Sequence, residues 1–422
     1  MTSVPALLVR NGRLLDRSEL VDVVVEDGEI TKIRDSVDTG NELLAENSID
    51  ADGGLLSPGF VDGHMHLDMA YASESCPLDW NEDSLDAERF HSLMNKYYAE
   101  HSMEELADAA ERGVREAVAN GTTHIRTHAM VDLDPGVDTL RALLKAKEAT
   151  AHLADVQIVP YASRGILADG NEQLVREAIE LGLDEAGAES ILLGGMDPAG
   201  RNRAVEPTLD RWFEVATDYD VDLDVHLQDG GTAGTYVFEQ LLDRIDQYEY
   251  EGRVTASHGF CLGHVPEWRA VELGEGLAAA DVGLLTCYTS TPVEMPLRSL
   301  DETGVDIGVG TDNTHDFGFP HGTPDLLLGA FVQLIKLRGS PVEDAEYGWY
   351  ETDPGLQLLW KLLTRGGASV LDIDSYGIDV GSPATFVVLD QSTPQEAIAR
   401  RGTPEYVFKD GRLVAQDNEV LE

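Results

Sequence analysis

The chain of 422 residues has only three cysteines, few basic residues and no long apolar run. Cys76, Cys261 and Cys287 stand in no paired spacing, which argues against a disulfide framework and against a cysteine zinc site. No uninterrupted apolar stretch approaches the ~20 residues that a membrane-spanning helix needs. The first residues, Met1–Pro5, lack the basic and apolar regions of a signal peptide. These absences predict a cytoplasmic protein with reduced thiols and no membrane partner.

Positive charge is scarce, since 30 basic residues stand against 78 acidic ones and the formal net charge is -48. The acids are spread along the chain and do not form a tail. Because phosphate binding needs a basic patch, this balance argues against nucleic acid as a partner. The composition is similar to that of haloarchaeal-type proteins from a saline cytoplasm, in which salt screens the acidic self-repulsion. We therefore relate the charge to the solvent and not to the chemistry.

The sequence does contain metal-ligand residue types at the ends of apolar runs. One run leads into His64 and His66, and positions i and i+2 of a strand point the same way, so both imidazoles aim at one point. A His-x-His pair alone is equally compatible with two surface histidines at a strand end. However, His226, His258 and Asp312 each follow a further apolar run. This recurrence favours one basin built by a parallel barrel.

Apolar segments alternate with acidic amphipathic segments through the middle of the chain. This alternation predicts a parallel sheet, and eight such units over ~250 residues match a (β/α)8 TIM barrel, an α/β fold. In that fold the active site lies at the C-terminal ends of the strands, where the histidines above are expected. The predicted strands are Leu56–Val61, Thr123–Thr127, Val156–Val159, Ile191–Gly194, Leu223–His226, Val254–His258, Val282–Leu285 and Ile307–Gly310.

Both ends of the chain carry short β segments around tight turns. Asp27-Gly28 and Asp410-Gly411 stand next to apolar runs, and Asp-Gly is a strong hairpin signal. We expect the two ends to pair into one small composite domain, a β-sandwich. The predicted division gives residues 1–55 with 375–422 to this domain and residues 56–374 to the catalytic barrel.

Six segments at the predicted strand ends carry a family resemblance. They are Gly59–Asp68, Gly121–His128, Gly165–Leu167, Asp224–His226, Arg253–His258 and Gly310–Asn313. In this order they resemble the amidohydrolase superfamily, and within it the cytosine deaminase-like branch, over nearly the whole chain. The Pro-Cys-x-x-Cys segment of the unrelated zinc deaminases is absent from the sequence. The resemblance therefore implies a metal-dependent hydrolase of the barrel type.

The resemblance implies one divalent metal ion, zinc or iron. The implied ligands are His64, His66, His226 and Asp312. Such an ion lowers the pKa of a bound water to about 7. No lysine stands at the end of the predicted strand Ile191–Gly194, so the carbamylated-lysine bridge of two-metal relatives is not expected. The resemblance places His258 near the ion, where it orients the water or polarises a ring carbonyl, and a hydrogen-bonded barrel histidine is the alternative.

Several positions depart from the pattern of cytosine deaminases. The family's proton shuttle is a glutamate three residues after the strand-5 histidine, and here the shorter Asp229 stands there. Asp229 and Asp312 are the predicted proton shuttles, and the alternative for Asp229 is a loop aspartate that accepts backbone N–H groups. Ser163 replaces a glutamine that reads the pyrimidine edge, and Asn313 replaces a second aspartate. The predicted substrate-binding residues are Leu67, Ser163, Asn313 and Phe319.

Three functions remain open from the sequence. The first is hydrolytic deamination of cytosine or a related aminated base, and the second is hydrolysis of a cyclic amide or an N-alkylamino heterocycle at the same metal site. The third is a non-catalytic barrel scaffold. A small heterocycle is the expected partner, and a homo-oligomer is expected because related barrels commonly assemble. His128 is predicted either to line the pocket or to pack in the barrel, and His91 is interpreted as an ordinary helix or loop histidine.

Overall fold

The computed structural model describes residues 7–36, 47–76, 87–133, 136–288, 294–338 and 348–421. The remaining parts of the predicted domain ranges lie outside these residues. Within them, the middle of the chain forms a closed barrel and the two ends form two small sheets. None of the described helices has the length and apolar character that crossing a bilayer requires.

The N-terminal part of the chain forms a four-stranded sheet. Its strands are β1 (Leu7–Gly12), β2 (Val21–Glu26), β3 (Glu29–Asp35) and β4 (Asn47–Asp50), in the order β3-β2-β1-β4. The predicted Asp27-Gly28 turn joins β2 to β3, and both of its residues have positive φ, as this type of hairpin requires. The next strand, β5 (Leu55–Pro58), does not join this sheet.

Eight parallel strands follow and close into the predicted (β/α)8 barrel. They form sheets of three and five strands, and the parallel bridges Met65–Asp312 and Ile158–Ile191 join the two sheets into a ring. The strands are largely buried, as expected for a parallel sheet that helices cover. They are β6 (Phe60–Met65), β7 (Thr122–Met130), β8 (Asp155–Tyr161), β9 (Leu193–Met196), β10 (Leu223–His226), β11 (Val254–Ser257), β12 (Gly283–Cys287) and β13 (Ile307–Gly310).

The helices surround this ring and bury their apolar faces against it in one large core. A capping box between Ser102 and Glu105 starts the long helix α3. The α-helices of the described residues are α1 (Ala72–Ser75), α2 (Ala87–Glu100), α3 (Met103–Ala119), α4 (Asp138–Thr150), α5 (Asn171–Ala186), α6 (Val205–Tyr219), α7 (Gly231–Tyr248), α8 (Glu267–Ala279), α9 (Leu297–Glu302), α10 (Leu326–Leu337), α11 (Asp353–Lys361), α12 (Gly367–Val370) and α13 (Pro394–Arg400).

The C-terminal strands build a second small sheet together with β5. They are β14 (Phe386–Leu389), β15 (Pro404–Lys409), β16 (Arg412–Gln416) and β17 (Glu419–Val420), and the order is β17-β16-β15-β14-β5. Val9, Val23, Leu56, Phe386 and Phe408 belong to one buried cluster that both small sheets share. The two ends therefore form the predicted β-sandwich, although as two packed sheets and not as one paired sheet.

The predicted strand Leu56–Val61 is wrong as a single element. Its first half belongs to β5, which pairs antiparallel with β14, and the barrel strand begins only at Phe60. Gly59 separates the two strands, and a Cβ atom at this position would lie 2.1 Å from Thr123 Oγ1, so only glycine fits. Apolar residues continue across this break, which is why the sequence pattern does not show it. The division into two domains stays a prediction.

Candidate active site

The C-terminal ends of β6, β10 and β13 bring the four predicted ligands together in a buried cluster. His66 Nε2 lies 3.2 Å from His226 Nε2 and 3.5 Å from Asp312 Oδ1. His64 Nε2 lies 3.6 Å from the same oxygen and has no hydrogen-bond partner among the described residues. Four donors held at about 2.1 Å from one tetrahedral ion lie about 3.4 Å from each other. The observed spacings fit a single metal ion.

The remaining ring nitrogens of two of these histidines are fixed by the surrounding protein. His226 Nδ1 donates to the carbonyl oxygen of Gly195 over 3.1 Å. His64 Nδ1 lies 3.1 Å from Ser257 Oγ, whose hydroxyl donates to Asp224 over 2.6 Å. Because Ser257 uses its proton on Asp224, its oxygen accepts from His64. Both histidines therefore turn Nε2 toward the centre of the cluster, as outer partners of metal ligands commonly arrange.

The protonation of the histidines suits a metal ion. Burial, and then the nearby His128, lower the pKa values of His64 and His226 well below the ordinary value, so both rings are neutral at pH 7 and offer a lone pair. In His66 burial also lowers the pKa, but the bond to Asp68 and the charge of Asp312 outweigh it and the pKa is raised. Binding of a metal cation at His66 therefore releases a proton.

The first and last barrel strands are joined at the ligands themselves. Asp312 N–H donates to the carbonyl of His64 over 2.8 Å, and His66 N–H donates to the carbonyl of Asp312 over 2.9 Å. Asp62 lies under this seam and accepts the N–H and the hydroxyl of Thr311 at 3.0 and 2.6 Å. These bonds hold the two histidines and the carboxylate in fixed relative positions.

His258 lies beside the cluster, as the resemblance implies. Its ring centre is 4.7 Å from that of His64 and 5.3 Å from that of His226, and neither ring nitrogen has a hydrogen-bond partner in the described part of the chain. Burial lowers its pKa to about 4, so the ring is neutral. Its φ of 73° is unusual for a residue other than glycine, and such strain is typical of functional sites. The catalytic role stays a prediction.

The sequence patterns gave too little weight to His128 and none to Cys287. The donor atoms of His128 lie within 4.8 Å of those of His64, His66 and His226, so this side chain lies inside the cluster. Cys287 Sγ lies equally close to donor atoms of His64, of Asp312 and of His258. Both residues come at the ends of barrel strands, and this position is the signal that could have found them.

Asp229 lies in the turn after β10, where it takes part in a reciprocal brace. Its Oδ2 accepts the N–H of Ala199 at 2.9 Å, and Asp197 Oδ1 accepts the N–H of Gln228 at 2.6 Å. The loops after β9 and β10 thus hold each other. Burial raises the pKa of Asp229, and burial together with the charge of Asp229 raises the pKa of Asp197 to about 7. Among the described residues, Asp229 makes no hydrogen bond to the four ligands, and its shuttle role stays a prediction.

Ser163 lies at the end of β8, where it contacts a histidine that the sequence left without a role. Its hydroxyl donates to Asp132 over 3.0 Å and lies 3.3 Å from His91 Nε2. Helix α2 carries His91, and Arg164 on the same loop pairs with Asp132. No sequence motif links α2 to β8, so this contact needed the structure.

The other predicted substrate-binding residues have different surroundings. Asn313 Nδ2 donates to Asp316 over 3.1 Å, and Asp316 also accepts the N–H of Phe319, so the strand-8 loop is tied together. The Leu67 side chain is buried in the main core and lies close to Gly113 of α3. Whether these residues contact a substrate stays a prediction.

Comparison with known proteins gives a consistent result. Residues 55–414 match the model of the Amidohydrolase family. The chain is 35% identical to N-isopropylammelide isopropyl amidohydrolase of Pseudomonas sp. (strain ADP), with 98% of each chain covered.

Solved structures of two related proteins superpose on the whole fold. N-isopropylammelide isopropylaminohydrolase from Burkholderia multivorans has a TM-score of 0.84 at 28% identity, over 99% of this chain and all of its own. The 5-methylcytosine deaminase from Klebsiella pneumoniae has a TM-score of 0.83 at 24% identity, with 98% of both chains covered, and at this identity it supports the fold alone.

These matches confirm the predicted resemblance and rule out the scaffold interpretation. The buried His and Asp donors can hold the divalent ion that the family uses. The chain is a metal-dependent hydrolase that acts on C–N bonds, and it belongs to the amidohydrolase family.

Proposed function

We propose that this enzyme hydrolyses the bond between a ring carbon of a small heterocycle and its exocyclic nitrogen. One observation carries the proposal, namely the buried donor cluster, whose spacings suit one zinc or iron ion. When bound, such an ion supplies Lewis-acid activation of water and of the ring carbon. The four residues that would hold it are His64, His66, His226 and Asp312.

An alkylamine is the first candidate for the leaving group. The relative that is 35% identical over nearly all of both chains acts, by its name, on N-isopropylammelide, an alkylamino heterocycle. Deamination of cytosine or a related base is the second candidate, since the same donor cluster serves either leaving group. Ser163 in place of the glutamine of cytosine deaminases argues against cytosine itself.

The proton path in this proposal uses two carboxylates. Asp312 lies within the cluster and is placed to take the proton of the attacking water. Asp229 delivers it to the leaving nitrogen, because its raised pKa lets it hold a proton closer to neutral pH and Ala199 fixes its orientation. Neutral His258 orients the reacting groups by hydrogen bonding.

Product analysis with a substrate panel tests the proposal. The enzyme is loaded with zinc or iron in molar KCl and incubated with N-isopropylammelide, cytosine, isocytosine and a cyclic amide. Mass spectrometry and an ammonia assay identify the products, and His64→Ala is the control for metal dependence. We expect release of isopropylamine. Ammonia release alone would select the second candidate, while ring opening alone, or no turnover by fully loaded enzyme, would contradict the proposal.

A further inference from the structure

A turn of unusual geometry follows β9 at the mouth of the barrel. Residues Pro198–Asn202 form a π-helical turn between Asp197 and Arg203, and these two flanking residues have φ values of 35° and 53°. Such turns occur frequently at functional sites. The turn is tied to the metal cluster, because Asp197 N–H donates to the carbonyl of His226 over 3.0 Å. Side chains of this turn are therefore held at a fixed position relative to the ligands.

Arg201 lies in this turn, and its guanidinium is unpaired. It makes no ion pair and no side-chain hydrogen bond with any residue in the described ranges. This is notable in a chain with 78 acidic and 30 basic residues, where nearby arginines such as Arg164, Arg176 and Arg211 all pair with carboxylates. The side chain is half-buried. Its donors are free for a molecule that the protein itself does not supply.

The surroundings of Arg201 place its charge at the substrate side of the cluster. Burial, and then the charge of Arg201, lower the pKa of His91, which contacts Ser163. In Tyr161 the same charge opposes the rise in pKa that burial causes. Tyr161 stacks on His226 with ring centres 5.0 Å apart. The guanidinium therefore lies between the metal ligands and the residues at the ends of β8 and α2.

We propose that Arg201 binds the negative charge of the substrate, and that the substrate is an oxo-heterocycle that has lost the proton of a ring N–H between two carbonyl groups. This inference rests on the proposed function and narrows its substrate class. A guanidinium donates two parallel hydrogen bonds, which match a carbonyl oxygen and the adjacent deprotonated nitrogen. A local cation is needed because the overall charge of -48 repels an anionic ring from the barrel mouth.

Binding of two unreactive rings tests the inference without turnover. Barbiturate is an anion at pH 7 and uracil is neutral, and titration calorimetry in molar KCl measures both affinities for the zinc-loaded enzyme. We expect Arg201→Gln to weaken barbiturate binding by roughly 10- to 100-fold and to leave uracil binding unchanged. Arg201→Lys is expected to keep part of the preference. Arg203→Gln is the matched control, because it makes the same charge change in an exposed residue of the same turn.

The outcomes separate this inference from the proposed function. Unchanged barbiturate affinity in Arg201→Gln, or an equal loss in Arg203→Gln, would overturn the role of Arg201 even if the enzyme hydrolyses alkylamino heterocycles. Loss of the preference in Arg201→Gln alone supports the anion site, even if the substrate panel shows no C–N hydrolysis and the proposed function fails. Zinc content and the thermal midpoint of each variant confirm that the site and fold are intact.

Discussion

Replacing Asp229 with asparagine separates proton transfer from structure. The carboxylate accepts the N–H of Ala199 at 2.9 Å and that of Gly200. An amide offers one acceptor oxygen, so one of these N–H groups loses its partner, which costs about 1–3 kcal/mol of unfolding free energy. A protein with an ordinary stability of about 5–15 kcal/mol stays folded after this loss. A positioned acid–base group contributes about 10²–10⁴-fold in rate, and we expect kcat to fall by this factor.

Three measurements on Asp229→Asn decide the question, namely kcat at saturating substrate, metal content and urea unfolding. Asp325→Asn is the matched control, because Asp325 also accepts a backbone N–H, that of Leu328 at 2.9 Å, but does so at the start of α10. Asp229→Glu restores the longer acid and should keep partial activity. Turnover close to that of the wild type in Asp229→Asn would show that another group carries the proton, and the carboxylate would then serve the loop alone.

Three further predictions concern the metal, the charge and the pH. His64→Ala removes one donor of the cluster, so bound metal and activity should both fall to background, as metal analysis and the substrate assay will show. The thermal midpoint should rise from dilute buffer to molar KCl, because salt screens the repulsion among charges that sum to -48. Burial, opposed by the charge of Asp155, lowers the pKa of His124 from 6.5 to about 4. The unfolded chain therefore binds more protons between these pH values, and stability should fall as the pH falls through this window.

Each of these predictions has a clear contrary result. Retention of metal by His64→Ala would contradict the ligand set, and exposed His152→Ala is the control for the loss of a histidine. A midpoint that stays constant or drops in KCl would contradict the screening argument. His124→Gln should flatten the pH dependence of the urea unfolding free energy between pH 6.5 and 4. An unchanged slope would show that other groups cause the acid sensitivity.

The barrel was predictable because each of its strands is a short apolar run between amphipathic helices. The predicted strands from Thr123–Thr127 to Ile307–Gly310 all overlap observed barrel strands. The break between Leu55–Pro58 and Phe60–Met65 was not predictable, since apolar residues continue through it. It depends on the close approach of Thr123 to Gly59, which is a contact between residues far apart in the sequence.

The candidate site was predictable to the extent that its groups stand at strand ends. His64, His66 and His226 follow this rule, and parallel strands necessarily bring their C-terminal ends to one side. The contacts of the loops do not follow it. The pairing of Ser163 with His91 and the position of Asp197 depend on how separate loops fold over the barrel mouth. Such contacts have no local pattern, because neither partner's neighbours encode the other.

The seam between β6 and β13 has a consequence for the order of events during synthesis. His64 and Asp312 meet across this seam, so the donor set stays incomplete until nearly three quarters of the chain has been made. Contacts this distant in sequence form late in folding, after the loop between them has closed. An ion that binds both sides then acts as a clasp on a finished ring. Metal uptake therefore reports ring closure, and a nascent chain that ends before β13 should not hold the ion.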